Sequence, residues 1–407
     1  MTMDANADDD GTLNELENSE NRQNNVEEDY SEENTDETSV STESTFDLTL
    51  PATHSYLGHN LEELRGRTIL DDGVYVNLPL LAKKSVMLFP GQTLPMTVFD
   101  AQTIDMIRTC IENDRTLGIV CLGYNKMVSI GTTAEIYECM YDPEQGFRLK
   151  AKGRQRFKIL GVIIQGSDKI TAQVQVLPEI TLGPPFLDDR LTSLNHLRTH
   201  PRTEEEFKKQ ERVENLDAVV TPWPGWVYRQ YDPLRLSLKI RQRLHFIERG
   251  SSIPEEPADL SFWVAQNLVL DDNERIALLN YDCAISRLQR EIKYLEEDKI
   301  FVCSNCDSYI GRQSHMFPMS KEGPQGTYCN SAGIIHETVT LYHAQGLTLS
   351  GSPPSLEYTW FPGYAWTIAM CSHCYVHMGW KFTAVQNNLK PKAFWGLTRK
   401  SFKSKKK

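Results

Sequence analysis

The feature that most constrains this 407-residue chain is a pair of C-x-x-C motifs, Cys303-Ser-Asn-Cys306 and Cys371-Ser-His-Cys374, with 64 residues between them. Two residues between cysteines let both thiolates turn toward one ion, and two such knuckles complete the tetrahedron that zinc takes in structural sites. One pair alone would be ambiguous with a redox dithiol; two pairs bracketing a β-rich segment predict a single structural Zn2+. A closed four-thiolate shell leaves no position for water, so this metal is expected to be structural rather than catalytic. His373 and His377 lie beside the second pair. With the metal already saturated, they read as surface groups or as supports outside the ligand set.

Nine cysteines are too sparse for a disulfide scaffold, and the start MTMDANADDD is unlike a signal peptide. The expected location is therefore cytoplasmic or nuclear. The sequence has no run of about 18 apolar residues, so no membrane span is expected. The net charge of −12 is unevenly placed: residues 1–47 hold sixteen Asp and Glu and one Arg. The rest of the chain is close to neutral, without the basic balance of a dedicated nucleic-acid binder.

The pattern divides the chain into five parts. Residues 1–55 read as a disordered acidic tail, too poor in apolar groups to offset chain entropy, and either merely solvated or an interaction segment. Residues 56–182 read as a mostly antiparallel β domain, with strands at 74–81, 85–89, 133–141, 156–165 and 169–177 and one helix near 100–113. Residues 183–297 read as helical. Thr203 with Glu206 makes a capping box, Asp232-Pro233 an N-cap with proline behind it, Gly250 the end of that helix, and Asp271 with Glu274 a further start. Tyr281, Ile285, Leu288, Ile292 and Leu295 form an apolar seam. PWPGWVY (222–228) reads equally as core or as partner surface. Residues 298–399 are β-rich around the cysteines, and 400–407 are a basic end, either a solvated tail or an import signal.

Four of the seven tryptophans follow residue 359, in WFPGYAW (360–366), GWKF (379–382) and FWGLTR (394–399). Pro362-Gly363 forces a reversal between Trp360 and Trp366, which can set their faces at an angle as walls of a slot. A Trp-rich core is the plainer reading for any one of them. Several together in a small domain suggest a pocket, for a cation held by its aromatic walls or for a small neutral ring.

These segments resemble a known family. HETVTLY (336–342), WFPGYAW, the two C-x-x-C pairs, GWKFTA (379–384) and FWGLTR resemble the thalidomide-binding domain of the cereblon family. FPGQTLPM (89–96), GTTAEIY (131–137) and GRQRFKIL (153–160) resemble the Lon N-terminal-like domain of the same family. The resemblance implies a multidomain α+β fold: a Lon N-terminal-like β domain, a helical bundle, and a zinc-stapled β-rich C-terminal domain. It implies a non-catalytic substrate receptor of a cullin-4 RING ubiquitin ligase, joined to cullin-4 and the RING subunit through the damage-specific DNA-binding adaptor protein, which the helical region would dock. It also implies a pocket for glutarimide small molecules and for cyclic-imide degrons on substrate proteins. Carried over by motif, the cage is Trp360, Trp366 and Trp380 with Phe382 at its base. The backbone C=O of Tyr358 would accept the imide N–H, the backbone N–H of Trp360 would donate to an imide carbonyl, and Asn330 would cover the ligand. Tyr358 stands where the family has His, and Ala332 replaces a bulkier residue, so side-chain contacts at the mouth and closure of the lid are expected to differ.

Three rival functions are weaker. A Lon protease would need an ATP-binding loop that is absent from the sequence. A zinc-type methionine-sulfoxide reductase would use Cys329 in YCNSAG, which lies before the second knuckle rather than after it. A nucleic-acid zinc ribbon would need more than the six Lys and Arg against five Asp and Glu of residues 298–398.

Overall fold

Acidic residues thin out after Asp47, and Phe46, Leu48, Pro51, Tyr56 and Leu57 supply enough apolar surface to order the chain there. The computed structural model describes residues 44–84, 86–123, 127–165, 169–183, 191–199, 201–244, 252–296 and 298–406. Residues 44–55 are thus not part of a disordered tail; the acidic stretch before them lies outside the described residues. Phe46 sits edge-on to Tyr364 at 5.3 Å, and the Thr45 hydroxyl donates to the Asn388 carbonyl at 2.7 Å. A helical turn follows, α1 (Thr49–Ala52), and the Tyr56 hydroxyl accepts from the backbone N–H of Cys329 at 3.1 Å. The chain's described start is thereby pinned to its C-terminal domain.

Seven strands and one helix follow: β1 (Glu62–Glu63), β2 (Val74–Lys84), β3 (Thr93–Val98), α2 (Ala101–Glu112), β4 (Thr116–Leu122), β5 (Met127–Asp142), β6 (Gly146–Gln165) and β7 (Lys169–Leu177). The sheet order is β1-β5-β4-β2-β7-β6-β3, and β5 also pairs with β6, so five strands close into a ring with β1 and β3 attached. Among the described strands only β2 and β4 pair in parallel. The side chain of Asp100 caps α2, which buries Ile107 and Cys110. The strand expected at 85–89 does not form. Val86–Phe89 run as an irregular buried segment, because the Gln92 side chain accepts from the Phe89 N–H and turns the chain at Pro90-Gly91. Strands β3 and β4, not anticipated from the sequence, flank α2 instead.

The helical region holds α3 (Glu204–Asp217), α4 (Gly225–Arg229), α5 (Pro233–Arg243), α6 (Pro257–Asn267), α7 (Asp272–Asn280) and α8 (Ala284–Tyr294). Both arms of the Thr203–Glu206 capping box are formed. The side chains of Asp232 and Asp271 cap α5 and α7. Helix α5 ends at Arg243, seven residues before Gly250, which lies outside the described residues. Ile285 and Leu288 of the seam are buried in a core shared with α5, α6 and α7, where Tyr281, Ile292 and Leu295 pack at its margin. Trp223 and Trp226 are not in that core: they are 60% and 58% exposed.

The C-terminal domain consists of β8 (Ile300–Cys303), β9 (Tyr309–Arg312), β10 (Gln325–Cys329), β11 (Ile335–Leu341), β12 (Leu347–Leu349), β13 (Tyr364–Cys371), β14 (His377–Ala384), β15 (Ala393–Thr398) and β16 (Phe402–Lys405). Six strands form one sheet in the order β10-β11-β15-β14-β13-β12, and β16-β8-β9 form another. The basic end is therefore no tail. Phe402 is buried, β16 pairs antiparallel with β8, and Lys403 and Lys405 reach Asp307 at 2.7 and 3.1 Å. Alternation of Phe402 and Ser404 inward with lysines outward is strand periodicity, which the charge count masks.

A buried ion cluster joins the parts. Glu337 of β11 accepts two bonds from Arg275 of α7, at 2.8 and 2.9 Å, and one from Arg399 at 2.8 Å. Arg275 also reaches the Met87 carbonyl, and Arg399 reaches the Leu270 carbonyl and Asp272. Burial alone would raise the Glu337 pKa; the two guanidiniums outweigh it and hold the carboxyl down at about 2.

Candidate functional site

The four cysteines come from two knuckles brought together by β8 and β13. Their sulfurs all lie within 4.8 Å of one another, with Cys303–Cys374 at 3.7 Å and Cys306–Cys371 at 3.5 Å. A zinc tetrahedron with arms of about 2.3 Å has edges of about 3.8 Å, so the donor set fits one Zn2+ closely. No other group of three or more such ligands gathers among the described residues. Cys303 and Cys371 are buried in the same apolar cluster as Phe301, Met378 and Phe402, which shields the site on one side.

Strand register builds the aromatic cleft. Trp366 pairs with Phe382 and Ile368 with Trp380 across β13 and β14, so all four project from one face. Trp360 enters from the preceding turn, where Gly363 takes a positive φ of 88°. Its ring lies 4.7 Å from Trp380 at 74°, stacks on Tyr328 at 4.9 Å, and its indole N–H donates to the Cys329 carbonyl at 3.2 Å. The Trp366 indole N–H donates to the Glu357 carbonyl at 2.8 Å, fixing the opposite wall. Phe382, 1% exposed and stacked on Phe394, closes the floor. Tyr358 stands beside the cleft at φ 52°, a backbone conformation that costs a non-glycine residue energy. Asn330 accepts from the N–H groups of Ala332 and Ile334, at 3.1 and 2.8 Å, which fixes its own loop where it lines the cleft. The cleft measures about 260 Å³, and all six residues named from the sequence line it.

Four lining residues escaped the sequence reading: Ser331, Glu357, Ile368 and His377. Ile368 follows from the two-residue strand period. His377 does not, because a bulge between β13 and β14 leaves Met378 without a partner, and Gly379 sits at φ 145°. The bulge turns His377 onto the cleft face, where its ring meets Trp380 edge-on at 4.9 Å. It is thus an exposed group, as the surface reading has it, and one that also lines the cleft. Behind the wall, His336 lies edge-on to the same ring at 5.0 Å, and burial lowers its pKa to about 4. His373 is exposed. Cys329 is fully buried, and burial raises its thiol pKa, the reverse of what a catalytic thiolate needs.

The fold and these two centres define a class: a Lon-type substrate-binding module joined to a zinc-binding β module. Residues 77–297 match the family described as the ATP-dependent protease La (LON) substrate-binding domain. Residues 299–406 match the family described as Yippee zinc-binding/DNA-binding/Mis18, centromere assembly. Among curated relatives, protein cereblon of Gallus gallus is 40% identical over 375 residues, 87% of this chain and 84% of the relative. Protein cereblon of Danio rerio is 39% identical, covering 87% and 86%, and that of Drosophila virilis 34%, covering 88% and 57%. The chain belongs to the cereblon family. Among the described residues no helix is long and apolar enough to cross a membrane.

Proposed function

We propose that this chain is the substrate-recognition subunit of a cullin-4 RING ubiquitin ligase, that it carries out no chemistry itself, and that its aromatic cleft takes a cyclic imide. The observation that carries the reading is the cleft: three indoles and a phenyl ring are among the residues that line about 260 Å³, room enough for a small ring. The ring's CH groups press on Trp360, Trp366 and Trp380. Its polar edge meets backbone at Tyr358 and Trp360, and Asn330 covers it. A planar imide offers one donor between two acceptors, so an open-chain amide loses both fit and hydrogen bonds. Glutarimides and imides formed at protein C-termini share this group. A target held in the cleft gains a high effective concentration near the ubiquitin-charged partner.

The helical region supplies the other contact in this proposal. Leu216, Val219, Val220, Trp223, Trp226, Tyr231 and Leu234 are exposed on it, an apolar surface that suits docking to the damage-specific DNA-binding adaptor protein. Cullin-4 and the RING subunit join through that adaptor, in the cytoplasm and the nucleus, with no direct contact to nucleic acid. Calorimetric titration of the zinc-loaded full chain with glutarimide tests the reading. Binding is expected for glutarimide and not for open-chain glutaramide, and Trp366→Ala is expected to weaken it by about 1–3 kcal/mol through lost aromatic burial. Unchanged affinity in that variant removes the cage from the account. Loss of adaptor co-purification in the double variant Trp223→Ser, Trp226→Ser tests the docking surface.

A further inference from the structure

Helix α6 is buried on every side from Leu260 to Asn267, yet one stripe of it is polar. Asp259, Trp263 and Gln266 follow at steps of four and three, and so share a face. That face borders a cleft of about 330 Å³ between the helix and the rim of the strand ring, lined also by Arg67, Gly91 and Arg154. The cleft is remote in the chain from every residue of the aromatic cage.

Two polar side chains along it make no hydrogen bond among the described residues. The indole N–H of Trp263 is buried and makes no hydrogen bond among the described residues. Gln266 is 4% exposed, and its side chain makes no hydrogen bond among the described residues, but its amide, unlike the Trp263 N–H, is not closed off from solvent. The helix's other buried polar side chains are satisfied: Ser261 donates to the Ala258 carbonyl, and Asn267 bonds the carbonyls of Trp263 and Glu322 and the N–H of Gln325. Buried polar groups are nearly always paired, so the unpaired indole N–H of Trp263, with the Gln266 amide beside it on the same face, points to a ligand or to water held there. On the opposite wall, Arg154 gives its Nε to Glu135 at 2.6 Å, while Glu135 is shared with Arg115 at 3.5 Å. Among the described residues the terminal nitrogens of Arg154 make no hydrogen bond, and Arg67 has no ion-pair partner. At Gly91, with φ 84°, a Cβ would meet nothing within 4 Å, so the cleft is open down to the backbone.

We propose that this cleft is a second binding site, for a small oxyanion, either a carboxylate or a phosphate. Arg67 and Arg154 supply planar donors matched to such a group, and the Trp263 N–H and the Gln266 amide supply neutral ones. Asp259, at the first turn of α6, repels negative charge from its own end and directs the anion toward the guanidiniums. Nothing in this assignment depends on the imide pocket.

The test is an NMR titration of the zinc-loaded full chain carrying ¹⁵N at the tryptophan indoles. Sodium phosphate and sodium succinate are added in separate arms, with sodium chloride at matched ionic strength as control. The Trp263 peak is identified by its loss in Trp263→Phe or, should that variant not fold, by its displacement in Gln266→Leu. The expected result is a saturable shift of this peak with at least one anion, weakened about ten-fold in Arg67→Ala. A response to succinate alone assigns a carboxylate, and to phosphate alone a phosphate. The proposal is overturned if neither anion gives a saturable shift, if chloride reproduces it, or if Arg67→Ala leaves it unchanged.

Discussion

Replacing Glu337 with alanine removes the one carboxylate that two buried guanidiniums share. Arg275 is 0% exposed and Arg399 6%, so neither can turn to water. Their remaining anion, Asp272, is 45% exposed and reaches only Arg399. Two routes give the size of the loss. Lowering of the Glu337 pKa from 4.5 to about 2 corresponds to roughly 3 kcal/mol favouring the ionised form. Breaking a buried pair by removing one partner costs about 3–5 kcal/mol, because an uncompensated charge remains. Glu337→Ala should therefore lose about 3–5 kcal/mol in urea unfolding at neutral pH. Because β11 and α7 meet here, limited proteolysis should also release the C-terminal domain sooner. The pH dependence has a definite sign. A carboxyl with a depressed folded-state pKa stabilises fully above its unfolded value, and that contribution disappears as pH falls from about 4.5 toward 2. Glu337→Gln should lack that part of the acid sensitivity. A loss below about 1 kcal/mol, or an unchanged acid profile in Glu337→Gln, would refute the view that this cluster ties the domains together.

Three further outcomes are expected. Cys371→Ser, or treatment with a strong chelator, should unfold the C-terminal domain, since structural zinc contributes directly to folding; a folded, zinc-free domain by circular dichroism and metal assay contradicts this. Deleting residues 399–407 should destabilise the chain by several kcal/mol, because it removes β16, the buried Phe402 and Arg399 together; thermal melting unchanged from the full chain would restore the solvated-tail reading. Gly379→Ala places a Cβ at 2.3 Å from the Gly396 carbonyl, so the bulge must shift and His377 should leave the cleft. The signature is a stability loss of about 1–3 kcal/mol with altered His377 proton resonances, and an unperturbed spectrum would show that the bulge tolerates the change.

What the sequence discloses here depends on whether a property is local. The zinc ligands are legible because two C-x-x-C spacings carry their own geometry. Ile368 beside Trp366 needs only the strand period. His377 needs the bulge, and no residue pattern announces one. The order of residues 44–57 is hidden because fifteen acids upstream dominate the average, while Phe46 and Tyr56 find their partners more than 250 residues away, at Tyr364 and Cys329. Arg275, Glu337 and Arg399 read singly as surface charges; only the tertiary meeting of α7, β11 and the chain end makes them a buried cluster. The seam through Ile285 and Leu288 is legible from its spacing, whereas Trp223 and Trp226 stand between prolines with no period that tells inside from outside.

Strand β13 carries Trp366 and Ile368 at one end and Cys371 at the other. In a sheet, a slip of one residue sends every side chain to the opposite face. Such a slip in β13 would turn both cleft residues inward and present Ala365 and Thr367 in their place. Because Cys371 is one corner of a metal tetrahedron whose other corners lie on Cys303, Cys306 and Cys374, the strand cannot slide while the ion is bound. The zinc acts as an index pin, setting by residue count which side chains a ligand meets five positions away.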